Sequence, residues 1–281
     1  MRAPLKCLSV LALALATTLA TAGVSRADDP VEAAKKYAAV GILGANDWDC
    51  KPTAAHPRPL ILVHGTFGVA FANWGYMGPA LKAKGYCVFA LEYGHLPPNP
   101  FPGMDHPDNS AQQLKIFVDG VLAATGAAKA DLVGHSQGGM MPRYYLRFLG
   151  GASKVGDLVG IAPSNHGTDN PLAAPAGYVC PACADQATGS AFLTHLNAGH
   201  EVEPGVDYTV IETRYDDVVT PYTSAFLNGP SGQVTNVRLQ DACPAFFADH
   251  LSIVLSDLTV QWVVNALNRS GPADPGFNPH C

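Results

Sequence analysis

The stretch Gly134-His135-Ser136-Gln137-Gly138 constrains this chain more than any other. A short apolar run, Ala130-Asp131-Leu132-Val133, precedes it, and a helix-like segment over 139–149 follows. A serine between two glycines at a strand-to-helix switch marks a sharp turn. Such a turn exposes the serine Oγ and leaves the next backbone N–H free to bind an oxyanion. The glycines remove side chains that would collide where the turn is tightest. Taken alone, the pentapeptide fits a glycine-rich turn that happens to hold a serine equally well. The rest of the chain decides between these readings.

Apolar runs at 59–63, 86–91, 130–133, 158–162, 208–213 and 234–239 read as strands. Between them, 31–40, 80–84, 110–125, 139–149 and 258–267 read as helices. Ser110 is the expected N-cap of the third, which carries Leu114, Phe117, Val118, Val121 and Leu122 on one face. Pro142 lies inside the fourth, where a kink is expected. Strands that alternate with helices predict an α/β domain. Its sheet should have about six mostly parallel strands, with helices on both faces. Two stretches resist assignment: 95–109, rich in proline, and 163–205, a long interruption with glycine, proline and two cysteines. A long loop inside a compact domain is usually functional, so 163–205 is the candidate cap over a pocket.

Residues 1–27 read as a secretory signal peptide. Arg2 and Lys6 form a basic start, 8–22 is apolar, and Ser25-Arg26-Ala27 puts small residues at a cleavage site before Asp28. The apolar run is shorter than the ~20 residues a membrane span needs, so no stable membrane anchor is expected. The expected product is a secreted single domain, residues 28–281. Losing Arg2, Lys6 and Arg26 takes the chain from a net charge of −6 to −9. That acidity argues against nucleic acid and anionic membranes as partners. A monomer is expected. Six cysteines remain, an even number behind a secretory leader, which implies three disulfides. The C-x-x-C pair Cys180 and Cys183 has neither a thioredoxin-like βαβ context nor a second C-x-x-C, so it reads as a local structural bridge.

A serine nucleophile needs a general base, and the base needs an acceptor that fixes its tautomer. In a strand–elbow–helix setting these follow in the order Ser, acid, His. Tyr215-Asp216-Asp217-Val218-Val219-Thr220-Pro221 follows the fifth strand, on the edge where such sheets bind ligands. Either aspartate can orient the base. Asp216 is preferred because it sits at the turn, which leaves Asp217 to cap or support the loop. His250 lies in the loop after the last strand and follows the acid, whereas His195 and His200 precede it. His135 is expected to point away from the site. The two oxyanion donors expected are the N–H of Gln137 and an N–H in His64-Gly65-Thr66-Phe67-Gly68. Thr66 is preferred there, with a hydroxyl as a third donor, and Phe67 is the alternative. Two acid–histidine groupings, Asp105-His106-Pro107-Asp108 and His166 with Asp169, read as solvated loop residues, and neither a metal site nor a cofactor is expected.

With these residues in place, the chain resembles the secreted bacterial triacylglycerol lipases of the α/β-hydrolase fold known as lipase class 2, actinobacterial type. The resemblance rests on residues 64–68, 134–139, Ser164-Asn165-His166-Gly167-Thr168, 216–221 and His250, in that order. It implies a triad of Ser136, Asp216 and His250, with oxyanion donors at Thr66 and Gln137. It also implies lipid esters as substrates, met at a lipid–water interface, and no cofactor. A carboxylesterase or polyester-cleaving hydrolase would carry the same triad, and a non-catalytic binding protein of this fold is the rival of another class. The chain is also similar in outline to a fungal lipase, and that similarity implies Cys50–Cys87 and Cys243–Cys281, leaving Cys180–Cys183.

Overall fold

The computed structural model describes residues 29–281, so the expected signal peptide lies outside the described residues. Six strands form one sheet: β1 (Leu60–Val63), β2 (Val88–Leu91), β3 (Ala130–His135), β4 (Val155–Ile161), β5 (Asp207–Glu212) and β6 (Val234–Arg238). The order across the sheet is β2-β1-β3-β4-β5-β6, and every neighbouring pair is parallel. The helices are α1 (Pro30–Lys35), α2 (Ala70–Trp74), α3 (Met77–Ala83), α4 (Pro107–Thr125), α5 (Gln137–Phe148), α6 (Pro181–Asp185), α7 (Ala191–Leu196), α8 (Leu239–Ala242) and α9 (Asp257–Leu267).

Side chains that alternate along a strand build two cores, one on each face. Leu60 and Leu62 of β1 pack with Trp74, Met77 and Leu81 of α2 and α3 and with Trp262 and Val263 of α9. Ile61 and Val63 turn the other way, against Leu114, Phe117 and Val121 of α4 and Met141 and Tyr145 of α5. All of these side chains are fully buried or nearly so, and each contributes about 1.5–3 kcal/mol through lost contact with water. Burial on both faces is why these strands read as unbroken apolar runs rather than alternating ones.

Some sequence expectations shift. The helix expected from Ser110 begins three residues earlier, at Pro107, with His106 at its N-cap. Proline fits the first helical turn because its missing N–H has no partner there anyway. Ser110 is therefore inside α4 and buried rather than capping it. The helix expected over 31–40 ends at Lys35. The interruption 163–205 is not a bare loop. It holds a 3-10 turn at Pro175–Tyr178 as well as α6 and α7. Cys50 is bonded to Cys87, Cys180 to Cys183, and Cys243 to Cys281.

The register lines up the strand ends. Val63 pairs with Gly134, Gly134 with Gly160, and Gly160 with Val210. The segments after β1, β3, β5 and β6 therefore leave from one edge of the sheet. β1 and β3 are adjacent, and chain order reverses there: β2 lies on one side and β4 to β6 on the other. A crevice outside the carboxyl ends at such a reversal is where open α/β sheets bind ligands.

Candidate active site

β3 ends at His135, and α5 begins at Gln137. Ser136 alone makes the turn, with φ 57° and ψ −126°, a backbone region that a residue with a side chain rarely adopts. Its N–H donates to Ile161 O at 2.9 Å, and its carbonyl accepts from Gly139 N at 2.9 Å. Both backbone groups of the strained residue are thus satisfied, and the turn holds. A Cβ on Gly138 would lie 2.1 Å from the Val63 carbonyl oxygen, so only glycine lets α5 start this close to β1. The Ser136 side chain faces a pocket of about 730 Å³, and among the described residues it makes no hydrogen bond to another protein group. Serine–base contacts of this kind often close only when substrate is bound.

His250 faces the same pocket. Its Nδ1 is 2.8 Å from Asp216 Oδ2, and both side chains are almost wholly buried. Asp216 Oδ1 accepts from Val218 N at 2.9 Å and Val219 N at 2.7 Å. These bonds fix the carboxylate, so His250 donates to it from Nδ1 and its other ring nitrogen is left for the pocket. Asp217 is exposed, and the turn-capping role expected of it falls to Asp216.

The chain turns back after β1, with Gly68 N donating to Gly65 O at 3.0 Å. Thr66 occupies a corner of that turn and lines the pocket with Gly65 and Ser136. His64 lies beneath, and burial lowers its pKa to about 4. Its Nδ1 faces the Gly65 carbonyl at 2.8 Å and donates to it as a neutral ring.

Three residues matter that the sequence reading did not single out or placed elsewhere. His135 does not point away from the site. Its ring lies 4.8 Å from that of His250, and its Nε2 donates to the His250 carbonyl at 2.8 Å. Burial, and then the neighbouring His250, lower its pKa to about 3, so it supports the base loop as a neutral donor. Glu212, the last residue of β5, is fully buried beside Asp216. Burial first, and Asp216 next, hold its carboxyl well above the usual range, which favours the protonated acid. An acid directly after the apolar pair Val210-Ile211 was the signal available for it. Gln186, from the 163–205 segment, reaches the oxyanion turn, with its Nε2 2.8 Å from Thr66 Oγ1.

The walls are mostly apolar. Val69, Val218, Leu251, Val254 and Leu255 line one part, and Leu172, Ala173 and Ala176 of the 163–205 segment another. Both histidines of the acid–histidine groupings find a carboxylate: His106, still exposed, faces Asp185 at 2.7 Å, and His166 faces Glu201 at 3.0 Å rather than Asp169, which is exposed. Among the described residues, no group of three His, Cys, Asp or Glu is placed to hold a metal ion.

The His166–Glu201 pair anchors the 163–205 segment. His166 Nδ1 faces the Ser224 carbonyl at 2.9 Å, so both ring nitrogens donate and the ring is a cation. Its bond to Glu201 raises its pKa. Burial acts to raise the Glu201 pKa, but the His166 and Asn228 bonds outweigh it and bring the carboxyl down to about 2. A depressed carboxyl contributes stability above its unfolded value of about 4.3, lost as pH falls through the folded value. Glu201→Gln is therefore expected to lower the melting temperature at pH 6. The gap to the parent should close as pH is taken from about 4.3 toward 2. A gap that stays constant across that window would show that the pair stabilises by packing alone.

A six-stranded parallel sheet with a serine elbow after β3, and an acid and a histidine beyond β5 and β6, defines an α/β-hydrolase. The family model for lipase (class 2) matches residues 57–262, and the chain belongs to that family. A triacylglycerol lipase of Pseudarthrobacter phenanthrenivorans is 41% identical over 96 residues, which span 32% of this chain and only 28% of that protein. Among solved structures, Aspergillus fumigatus lipase B is similar with a TM-score of 0.68 and 22% identity, covering 80% of this chain and 57% of that one. Bacillus licheniformis lipase BlEst2 in its propeptide form follows with a TM-score of 0.59 and 16% identity, covering 86% and 55%. At these identities the two structures speak for the fold.

Proposed function

We propose that this protein is a secreted serine ester hydrolase acting on lipid esters, a triacylglycerol lipase. The observation that carries the proposal is Ser136 on a strained elbow, facing one apolar pocket with a His250 whose Nδ1 is bound by Asp216. Ser136 Oγ attacks the ester carbonyl as His250 Nε2 takes its proton, and Asp216 stabilises the imidazolium. The Gln137 N–H and the Thr66 N–H and hydroxyl hold the tetrahedral oxyanion. The intermediate collapses as His250 protonates the departing alcohol. Water then attacks the acyl-enzyme, giving its proton to His250, which passes it to Ser136 Oγ as the bond to the acyl carbon breaks and the fatty acid leaves. The chemistry of the pocket supports an acyl chain as occupant, because its walls offer aliphatic contact and few polar groups. Its rim supports contact with a lipid aggregate, since Leu172 and Leu251 are 72% and 71% exposed. Among the described residues, no helix is long and apolar enough to cross a membrane.

An alkyl phosphonate followed by peptide mass mapping, run beside hydrolysis of esters of increasing acyl length, tests this reading. The expected result is phosphonylation of Ser136 and turnover of emulsified long-chain triacylglycerol. Turnover confined to short soluble esters would make the protein a carboxylesterase. Neither label nor turnover would leave a non-catalytic binding protein of this fold. N-terminal sequencing of the exported protein should begin at Asp28.

A further inference from the structure

We propose that Gln186 is a positioning residue that turns the Thr66 hydroxyl into an oxyanion donor. The inference rests on the Ser136 reading above and extends it to the 163–205 segment. Gln186 is 7% exposed, and its amide makes three contacts. Ser164 Oγ is 2.7 Å from Oε1, while Nε2 is 2.9 Å from the Ala182 carbonyl and 2.8 Å from Thr66 Oγ1. A carbonyl oxygen only accepts, so the end facing Ala182 is the nitrogen. Its second hydrogen goes to Thr66 Oγ1. Thr66 must then accept from Gln186, and its own single proton points elsewhere.

One other protein group competes for that proton. Gln137 Oε1 is 3.4 Å from Thr66 Oγ1, well beyond the roughly 2.5–3.0 Å of a good O–H···O bond. It lies closer, at 3.2 Å, to Tyr93 Oη, whose proton is given to the His64 carbonyl at 2.6 Å. Thr66 accepts from the Gln186 amide, and among the described residues its own proton has no acceptor at a good distance. It is left for the charge that develops on the carbonyl oxygen beside Ser136.

The C-x-x-C pair gains a purpose from this. Cys180 and Cys183 are bonded across the start of α6, and Ala182, between them, supplies the carbonyl that fixes Gln186. The bridge holds the turn from which Gln186 reaches across to β1's loop.

A double-mutant cycle on the full chain tests the proposal, with kcat normalised to active sites titrated by phosphonate. Gln186→Met keeps the shape and removes the amide. It is expected to lower kcat about tenfold, part of the 10²–10³ that a whole oxyanion donor supplies, and to leave KM within about twofold. In a Thr66→Val background, which lacks the hydroxyl, Gln186→Met should cost nothing further. An equal cost in both backgrounds, or a rise in KM with kcat unchanged, would reduce Gln186 to a wall of the pocket and overturn the proposal. So would a Thr66→Val enzyme as fast as the parent, and in each of these cases the Ser136 reading would stand. A parent protein with neither turnover nor label would sink both.

Discussion

Ser136→Ala is expected to abolish ester hydrolysis while leaving the fold intact. The loss in kcat should be roughly 10⁴–10⁶-fold, the scale seen when a nucleophile that works as a unit with its base is removed. Its side chain is not part of the structural hydrogen bonding, because both bonds that hold the turn are made by the backbone of residue 136. Alanine keeps those bonds and also keeps the strain of φ 57°. The melting temperature should therefore stay within about 1 °C of the parent. Ser136→Gly separates the two properties of the residue. It is equally inactive, but glycine adopts that backbone without strain, and a gain of about 1 kcal/mol is expected. For a domain of this size that is roughly 2–4 °C in Tm. Acyl-ester turnover and thermal melts of the three proteins provide the check. Turnover above about 1% in Ser136→Ala would move the nucleophile elsewhere, and a Ser136→Gly protein no more stable than Ser136→Ala would mean that the elbow stores no strain.

This split between chemistry and strain is also where the sequence was most readable. A serine between glycines after an apolar run announces its own turn, because the strand, the elbow and the helix start are contiguous in the chain. The same holds for β1 to β6, whose apolar runs report burial on both faces directly. Asp216 and His250 were reachable chiefly through chain order, with only the position at the turn favouring Asp216 over Asp217. The turn position that favoured Asp216 is what the structure shows in detail: two backbone N–H groups, Val218 and Val219, close on its carboxylate and leave Asp217 outside. Gln186 and His135 were unreadable for a further reason. Each owes its place to a partner far along the chain: Gln186 to Thr66, 120 residues away, and His135 to His250, 115 away. A lone glutamine in a loop carries no periodicity and no motif. The N-cap at Ser110 failed for the opposite reason, since Pro107 and Ser110 are both good starts and burial selected the longer helix.

Gly138→Ala is expected to be strongly destabilising, and the reason is architectural. The added Cβ would sit 2.1 Å from Val63 O and 2.3 Å from His64 O. Both are backbone atoms at the end of β1, so no side chain can turn aside. Either α5 lifts off the sheet or β1 gives up its register with β3 and β2. Each of those movements opens the two cores that meet at these strands. A cost of at least ~3 kcal/mol is expected, at the upper end of overpacking effects, which is roughly 6–12 °C in Tm. Gly150→Ala is the control. Its φ of 79° is also unfavourable for alanine, but nothing lies within 4 Å of the new methyl, so only about 1 kcal/mol should be lost. Activity must follow the same division. In the proposed mechanism, displacing the start of α5 would move the Gln137 N–H away from the oxyanion and tilt Ser136 off the His250 line. Gly138→Ala should therefore lose phosphonate labelling together with stability, whereas Gly150→Ala keeps full labelling. A Gly138→Ala protein that melts like the parent would show that the elbow tolerates a side chain, and the approach of α5 to β1 would then not be what holds Ser136 in place.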